Sequence, residues 1–217
     1  MLQEATDRGV IDRLSHLTKL TAWDSRPNFS TGYLTRAEVA EHKWTLPRGT
    51  RHAFLELALA SPSMRIFGLH LSAWFSNWSE RRRRIEIESL VTEIREHQDG
   101  FHLIVGDFNA LAPGEALRPD RMPHWIRAMV WLSGRDIARH TIQYMIDERY
   151  VDVWRAANST GDGYTFPTWD PHVRLDYIFI PERFRACIRR CEVFYHAPEG
   201  KTASDHYPLL FDFEVPQ

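Results

Sequence analysis

Leu103, Ile104 and Val105 form an unbroken aliphatic run, two of them β-branched, and predict a strand buried on both faces. Gly106 stops the run, and Asp107 and Asn109 follow with Phe108 between them. If the strand period continued, the carboxylate and the carboxamide would project together from the strand's C-terminal end. Further strands are expected over residues 31–36, 52–60, 64–71, 150–154, 174–180, 191–196 and 208–215. The 52–60 stretch alternates around Phe54, Leu55, Leu57 and Leu59.

Helical spacing places Ile11, Leu14, Leu17 and Leu20 on one face within residues 6–20. Residues 79–96 make the clearest helix, with Ser79 as N-cap and Ile85, Ile87, Leu90, Val91 and Ile94 as its apolar face. Shorter helices are expected over 125–132 and 137–148, with Pro- and Gly-containing loops over 111–123 and 158–171. Strands joined sometimes by turns and sometimes by helices predict an α+β fold, two packed sheets with helices outside. No repeat and no linker divides the chain, so residues 1–217 are expected to form a single domain.

At 43% hydrophobic and 26% charged residues the composition is that of an ordinary globular protein. The net charge of −2 leaves no global footprint for nucleic acid, so any cationic surface must be local. Residues 81–84 are four consecutive arginines close to Trp74, Phe75 and Trp78, which suits either phosphates and bases or a solvated helix face. Trp169, in the loop over 167–171, either lines a cleft or pins its loop. Cys187 and Cys191 have no second cysteine pair to make a zinc set and are read as packing residues. No apolar run approaches the roughly 18 residues of a membrane span. A cytoplasmic monomer without stable membrane insertion is expected.

Several polar residues interrupt or end apolar strands. His70 lies between Leu69 and Leu71, and Asp176 between Leu175 and Tyr177. Asp205 and His206 stand just before the last strand, and a carboxylate such as Asp176 beside His206 would fix its tautomer. Each has a bland reading: a turn for Asp107 and Asn109, a structural histidine for His70, a solvated side chain for Glu4. Together they form a set of oxygen ligands and imidazoles, which favours Mg²⁺ or Mn²⁺ over zinc.

The succession LQEA, TGYLTR, GLHL, IVGDFNA, RLDYIFI and ASDHYPLL resembles the endonuclease/exonuclease/phosphatase superfamily, with its DNase I-like fold, over nearly the whole chain. The resemblance implies a four-layered α/β-sandwich and metal-dependent phosphoester hydrolysis. It implies Glu4 as main metal ligand, with Asp205 at the metal directly or through water. His70 would contact the scissile phosphate or act as acid, Asp107 activate the attacking water, and Asn109 hold phosphate oxygens. His206 would stabilise the transition state or move protons, oriented by Asp176. The implied substrate is a phosphoester: nucleic acid, phosphorylated lipid or small molecule. Family members open with a strand ending in an Asn ahead of the QE motif. Here Gln3 and Glu4 follow the start directly, so an N-terminally truncated domain is expected. The alternative is a catalytically impaired pseudoenzyme or binding module with the same fold.

Overall fold

The computed structural model describes residues 1–195 and 203–216. The chain forms two compact units, Met1–Leu71 with Ile85–Phe108, and Ser72–Arg84 with Asn109–Gln217.

In the first unit, β1 (Leu2–Gln3) leads into α1 (Arg8–Thr18), then β2 (Ala22–Ser25), β3 (Thr31–Thr35), β4 (Val39–Thr45), β5 (Phe54–Leu59) and β6 (Met64–His70). The Asp7 side chain caps α1 by accepting from the N–H groups of Gly9 and Val10. Ile11 and Ser15 face inward, whereas the expected face residue Leu17 is 75% exposed. β1 and β2 pair antiparallel with β3. β4, β5 and β6 pair antiparallel in succession, and β6 runs parallel to β7 (His102–Asp107). Neither β2 nor β4 was expected from the pattern, because AWDS and VAEHKWT mix charge into short strands.

β5 is buried along its whole length, not on alternate residues. Its one charge, Glu56, is neutralised across the sheet by Lys43 on β4, at 2.9 Å, and by Arg65 on β6. Such cross-strand pairing permits a carboxylate where an alternating strand would place it in solvent.

The helix expected over 79–96 is α2 (Asn77–Glu93), followed by a 3₁₀ turn at Arg95–His97. Its cap is Ser76, whose hydroxyl accepts from the Ser79 N–H at 3.1 Å; Ser79 lies inside the helix. Ile87, Leu90, Val91 and Ile94 are buried as predicted, but Ile85 is 52% exposed. Glu86 and Leu90 line one cavity with Phe54, Leu69 and Leu71, so this part of α2 covers β5 and β6. The arginine run is not one solvated patch: Arg81 is exposed, Arg83 is buried in an ion pair with Glu80, and Arg84 lies over the Tyr144 ring.

The second unit continues through α3 (His124–Leu132), α4 (His140–Asp147), β8 (Tyr150–Asp152), α5 (Val153–Ala157), β9 (Asp176–Pro181), β10 (Ile188–Val193) and β11 (Leu209–Phe213). The strand expected over 150–154 stops early because the Asp152 side chain accepts from the Arg155 N–H and starts α5. β8 pairs antiparallel with β9, and β10 with β11. The strand expected over 191–196 is β10, shifted toward the N-terminus; His196 lies outside the described residues. Leu111, Met122, Val130, Ile137, Val173 and Leu175 form this unit's hydrophobic cluster.

The first turn of α2 anchors two other helices of this unit. Asn77 donates to the Ser133 carbonyl at 2.8 Å and accepts from the Ala138 N–H at 2.8 Å. Glu80 accepts from the Thr141 N–H at 2.7 Å, supplying the anionic cap that Arg139 cannot give α4. Among the described residues no helix is long and apolar enough to cross a membrane.

Cys191 is buried in β10, and burial pushes its thiol up to about 12. Cys187 is partly exposed, and neither is in a disulfide. Titration of the native protein with Ellman's reagent at pH 8 is therefore expected to release one equivalent promptly, from Cys187, and the second only on denaturation. Prompt labelling of Cys191 would contradict this burial.

Candidate active site

The register of β6 and β7 sets His70 directly beside Asp107. Nε2 of His70 lies 3.6 Å from Oδ2 of Asp107, with both side chains largely buried. The Leu71 N–H donates to the Asp107 carbonyl at 2.9 Å, which fixes the end of the strand. Gly106 makes this approach possible: its φ is +144°, and a Cβ there would stand 2.0 Å from the Leu69 carbonyl oxygen. His52 stacks on His70 with centroids 5.9 Å apart and rings 10° from parallel. Its Nδ1 is 3.7 Å from the buried carboxylate of Glu86. Sequence reading missed His52, which stands in no motif.

Glu4 follows β1, which packs against β7, and its side chain is exposed. Its φ of +54° is uncommon for a residue with a Cβ, and its carbonyl accepts from the Thr6 N–H at 2.9 Å. The pairing expected of Asp107 and Asn109 through strand alternation does not hold. β7 ends at Asp107, and Asn109 adopts φ +49°, so a left-handed turn directs its side chain instead of the pleat.

Asn109 belongs to the second unit, with Asp176, Asp205 and His206. Nδ1 of His206 lies 2.7 Å from Oδ2 of Asp176, the pairing expected from the sequence. That bond commits Nδ1 and directs proton exchange to Nε2. Phe166 packs against the imidazole with centroids 4.8 Å apart, and the exposed Trp169 meets Phe166 edge-on at 6.2 Å. Asp205 has an exposed side chain, while its carbonyl accepts from the Thr168 N–H at 2.9 Å.

The loop before β9 holds this pair in place, and its two fully buried threonines had no pattern to announce them. Thr165 Oγ1 accepts from the N–H groups of Leu175 and Asp176, at 3.1 and 3.3 Å. Thr168 Oγ1 donates to the Ser204 carbonyl at 3.0 Å, and the Tyr207 hydroxyl donates to the Thr168 carbonyl at 3.0 Å.

Behind the loop lies Arg174, whose guanidinium is buried. It makes two bonds to Asp152, at 3.0 and 2.6 Å, and two to Oε1 of Glu115, at 2.8 and 2.6 Å. It also stacks on Tyr177, 4.3 Å from the ring centroid. Burial alone would lower the pKa of this guanidinium, but Tyr177, Asp152 and Glu115 outweigh it and the net shift is upward. Burial likewise raises the Tyr177 hydroxyl, which stays protonated and donates to the Ala110 carbonyl at 2.9 Å. Tyr177, next to Asp176 on β9, thus bonds the residue after Asn109 while its ring lies against the buried cation.

Among the described residues no three His, Cys, Asp or Glu side chains gather as a ligand set. This does not disqualify Mg²⁺, which keeps several waters and is commonly held by one or two carboxylates plus substrate phosphate. Glu4 in the first unit and Asp205 in the second each present an exposed carboxylate.

The sequence model of the Endonuclease/Exonuclease/phosphatase family matches residues 2–206. This chain belongs to that family. No curated protein sequence matches this family member, but many solved structures do. The 3′ phosphatase NExo from Neisseria, bound to a product DNA hairpin, shares 16% identity at a TM-score of 0.66, over 89% of this chain and 78% of that one. An AP endonuclease from Archaeoglobus fulgidus shares 15% at 0.66, over 89% and 79%. TDP2 of D. rerio, complexed with single-strand DNA product, shares 17% at 0.63, over 98% and 84%. At these identities the likeness establishes the fold: mixed sheets flanked by helices, the α+β sandwich of DNase I-like proteins. The family is one of phosphoester-hydrolysing enzymes.

Removing the buried cation would leave Asp152 and Glu115 with only Arg155, 3.1 Å from Glu115, to offset their charge. Arg174→Ala is expected to cost about 3–5 kcal/mol in urea unfolding. Adding Glu115→Gln and Asp152→Asn should recover much of that loss, since the repulsion goes with the charges. A single substitution costing under about 1 kcal/mol, the range of exposed pairs, would contradict the network's role.

Proposed function

We propose that this protein is a divalent-metal-dependent phosphodiesterase of nuclease type. The observation that carries the reading is the His206–Asp176 pair at 2.7 Å, with Asp176 held by Thr165 of the preceding loop. The solved structures of the same fold that carry DNA support nucleic acid as the substrate class.

In this reading Asp107 orients a water molecule and takes its proton as the oxygen attacks phosphorus. Its partner His70 bonds a phosphate oxygen, as acid or as donor. Asn109 donates to a second phosphate oxygen and holds the group as charge builds on it. His206, with its tautomer set by Asp176, delivers a proton from Nε2 to the leaving oxygen as the P–O bond breaks. Glu4 would hold Mg²⁺ or Mn²⁺, with Asp205 as second carboxylate. Such an ion, when bound, neutralises phosphate charge and stabilises the leaving oxyanion.

The test is turnover of bis-p-nitrophenyl phosphate with Mg²⁺. Asp107→Ala and His206→Ala are each expected to lower kcat by roughly 10²–10⁴-fold, the usual contribution of a positioned acid or base. Asp176→Asn should lower kcat and distort the pH profile while leaving the melting temperature near wild type. Excess EDTA should abolish activity, and Mg²⁺ or Mn²⁺ should restore it. Wild-type activity in His206→Ala, or turnover indifferent to EDTA, would overturn the mechanism.

A further inference from the structure

Trp74 has φ +89°, a backbone conformation in which a bulky side chain is a genuine outlier. The surroundings enforce it. Arg83, itself held by Glu80 at 2.9 and 3.1 Å, donates to the Trp74 carbonyl at 2.8 Å and to the Ser72 carbonyl at 3.0 Å. Glu80 is in turn fixed at the first turn of α4. A buried ion pair is therefore spent on keeping this tryptophan in a strained turn.

That strain does not bury the ring. Trp74 is 57% exposed and meets Trp125 of α3 edge-to-face, with centroids 5.4 Å apart and Trp125 54% exposed. Trp78, at the start of α2, is 73% exposed. Arg81 and Arg82 follow it by three and four residues, so they stand beside it on the same helical face. The only acid between Ser72 and Arg84, Glu80, is fully buried and committed to Arg83. Indoles this large are normally withdrawn from water. Here strain holds indole faces out, next to cations with no exposed acid in the same segment.

Resting on the nuclease reading above, we propose that Trp74, Trp125 and Trp78, with Arg81 and Arg82, form a stacking platform for a single-stranded segment of a nucleic acid substrate. The charge complementarity is that of a phosphate backbone. Exposed indole faces suit unstacked bases, because bases inside a duplex have their faces covered. A flat apolar protein partner would need neither the arginines nor the tilted pair.

The experiment is fluorescence anisotropy with fluorescein-labelled oligodeoxythymidine of roughly 12 nucleotides, within usual single-strand site sizes, in EDTA so that nothing is cut. The wild-type chain should bind this strand more tightly than a blunt duplex of equal length. Trp74→Ala and Trp125→Ala should each weaken binding about 10-fold, with melting temperatures near wild type. Arg81→Gln with Arg82→Gln should flatten the salt dependence. Trp131→Ala, at an exposed indole on another side of α3, should bind as wild type. The platform is overturned if wild-type chain ignores the oligonucleotide, if either Trp74→Ala or Trp125→Ala binds normally, or if Trp131→Ala weakens binding as much. Wild-type turnover of bis-p-nitrophenyl phosphate, read in parallel, separates the two claims. Turnover without oligonucleotide binding rejects the platform alone and points to a protein partner. Tryptophan-dependent binding without turnover supports the platform and rejects the hydrolase reading.

Discussion

A fully buried guanidinium is costly to desolvate, and Arg174 is tolerable only because two carboxylates and an aromatic face surround it. Much of the second unit follows from satisfying that charge. Asp152 must end β8 where it does, Glu115 must turn inward from a proline- and glycine-containing loop, and Tyr177 must stack over the guanidinium. Tyr177 then reaches the Ala110 carbonyl, one residue past Asn109. An apolar cluster could fill the same volume, but dispersion has no direction, and a forked guanidinium accepts its partners in few orientations. The network converts a packing problem into an alignment of the segments carrying Asn109 and Asp176.

The residues proposed to carry the chemistry were easier to read than the residues that hold them. His70, Asp107, Asp176 and His206 interrupt apolar strands or end them, and a polar residue in such a place needs a reason visible in one dimension. Their supports leave no such trace. Glu115 and Arg174 are 59 residues apart, and Asp152 and Arg174 are 22 apart. Thr165 and Thr168 sit in a loop whose composition reads as solvent-exposed, yet both are fully buried.

Elements followed the same division. Strands built on apolar runs, such as β6 and β7, were legible from them, whereas the charges in β2 and β4 find their partners on other elements: Asp24 meets Arg8 of α1 and His42 of β4, and Lys43 meets Glu56 of β5. α5 was misread because VDVW alternates like a strand; the Asp152 side chain decides for helix by accepting from Arg155. The arginine run over 81–84 looks uniform in sequence and divides in space. Helical geometry turns Arg83 inward to Glu80 and leaves Arg81 outside.

Backbone strain offers a second and independent view of where function lies. Six non-glycine residues among those described have positive φ: Glu4, Lys19, Trp74, Asn109, Arg135 and Arg149. Three of these need no functional account, since Lys19, Arg135 and Arg149 follow the ends of α1, α3 and α4, where a left-handed residue commonly satisfies the last carbonyls. The other three close no helix. Glu4 and Asn109 stand in the sequence motifs LQEA and IVGDFNA, and Asn109 tolerates this conformation better than most residues. Trp74 tolerates it worst, and no motif requires it. A strained conformation persists only where neighbouring contacts over-determine it. The clamp from Arg83 is such a contact, and it holds an indole in water at the cost of strain. That the unexplained outliers coincide with the candidate chemistry in two cases is the strongest reason to treat the third as functional too.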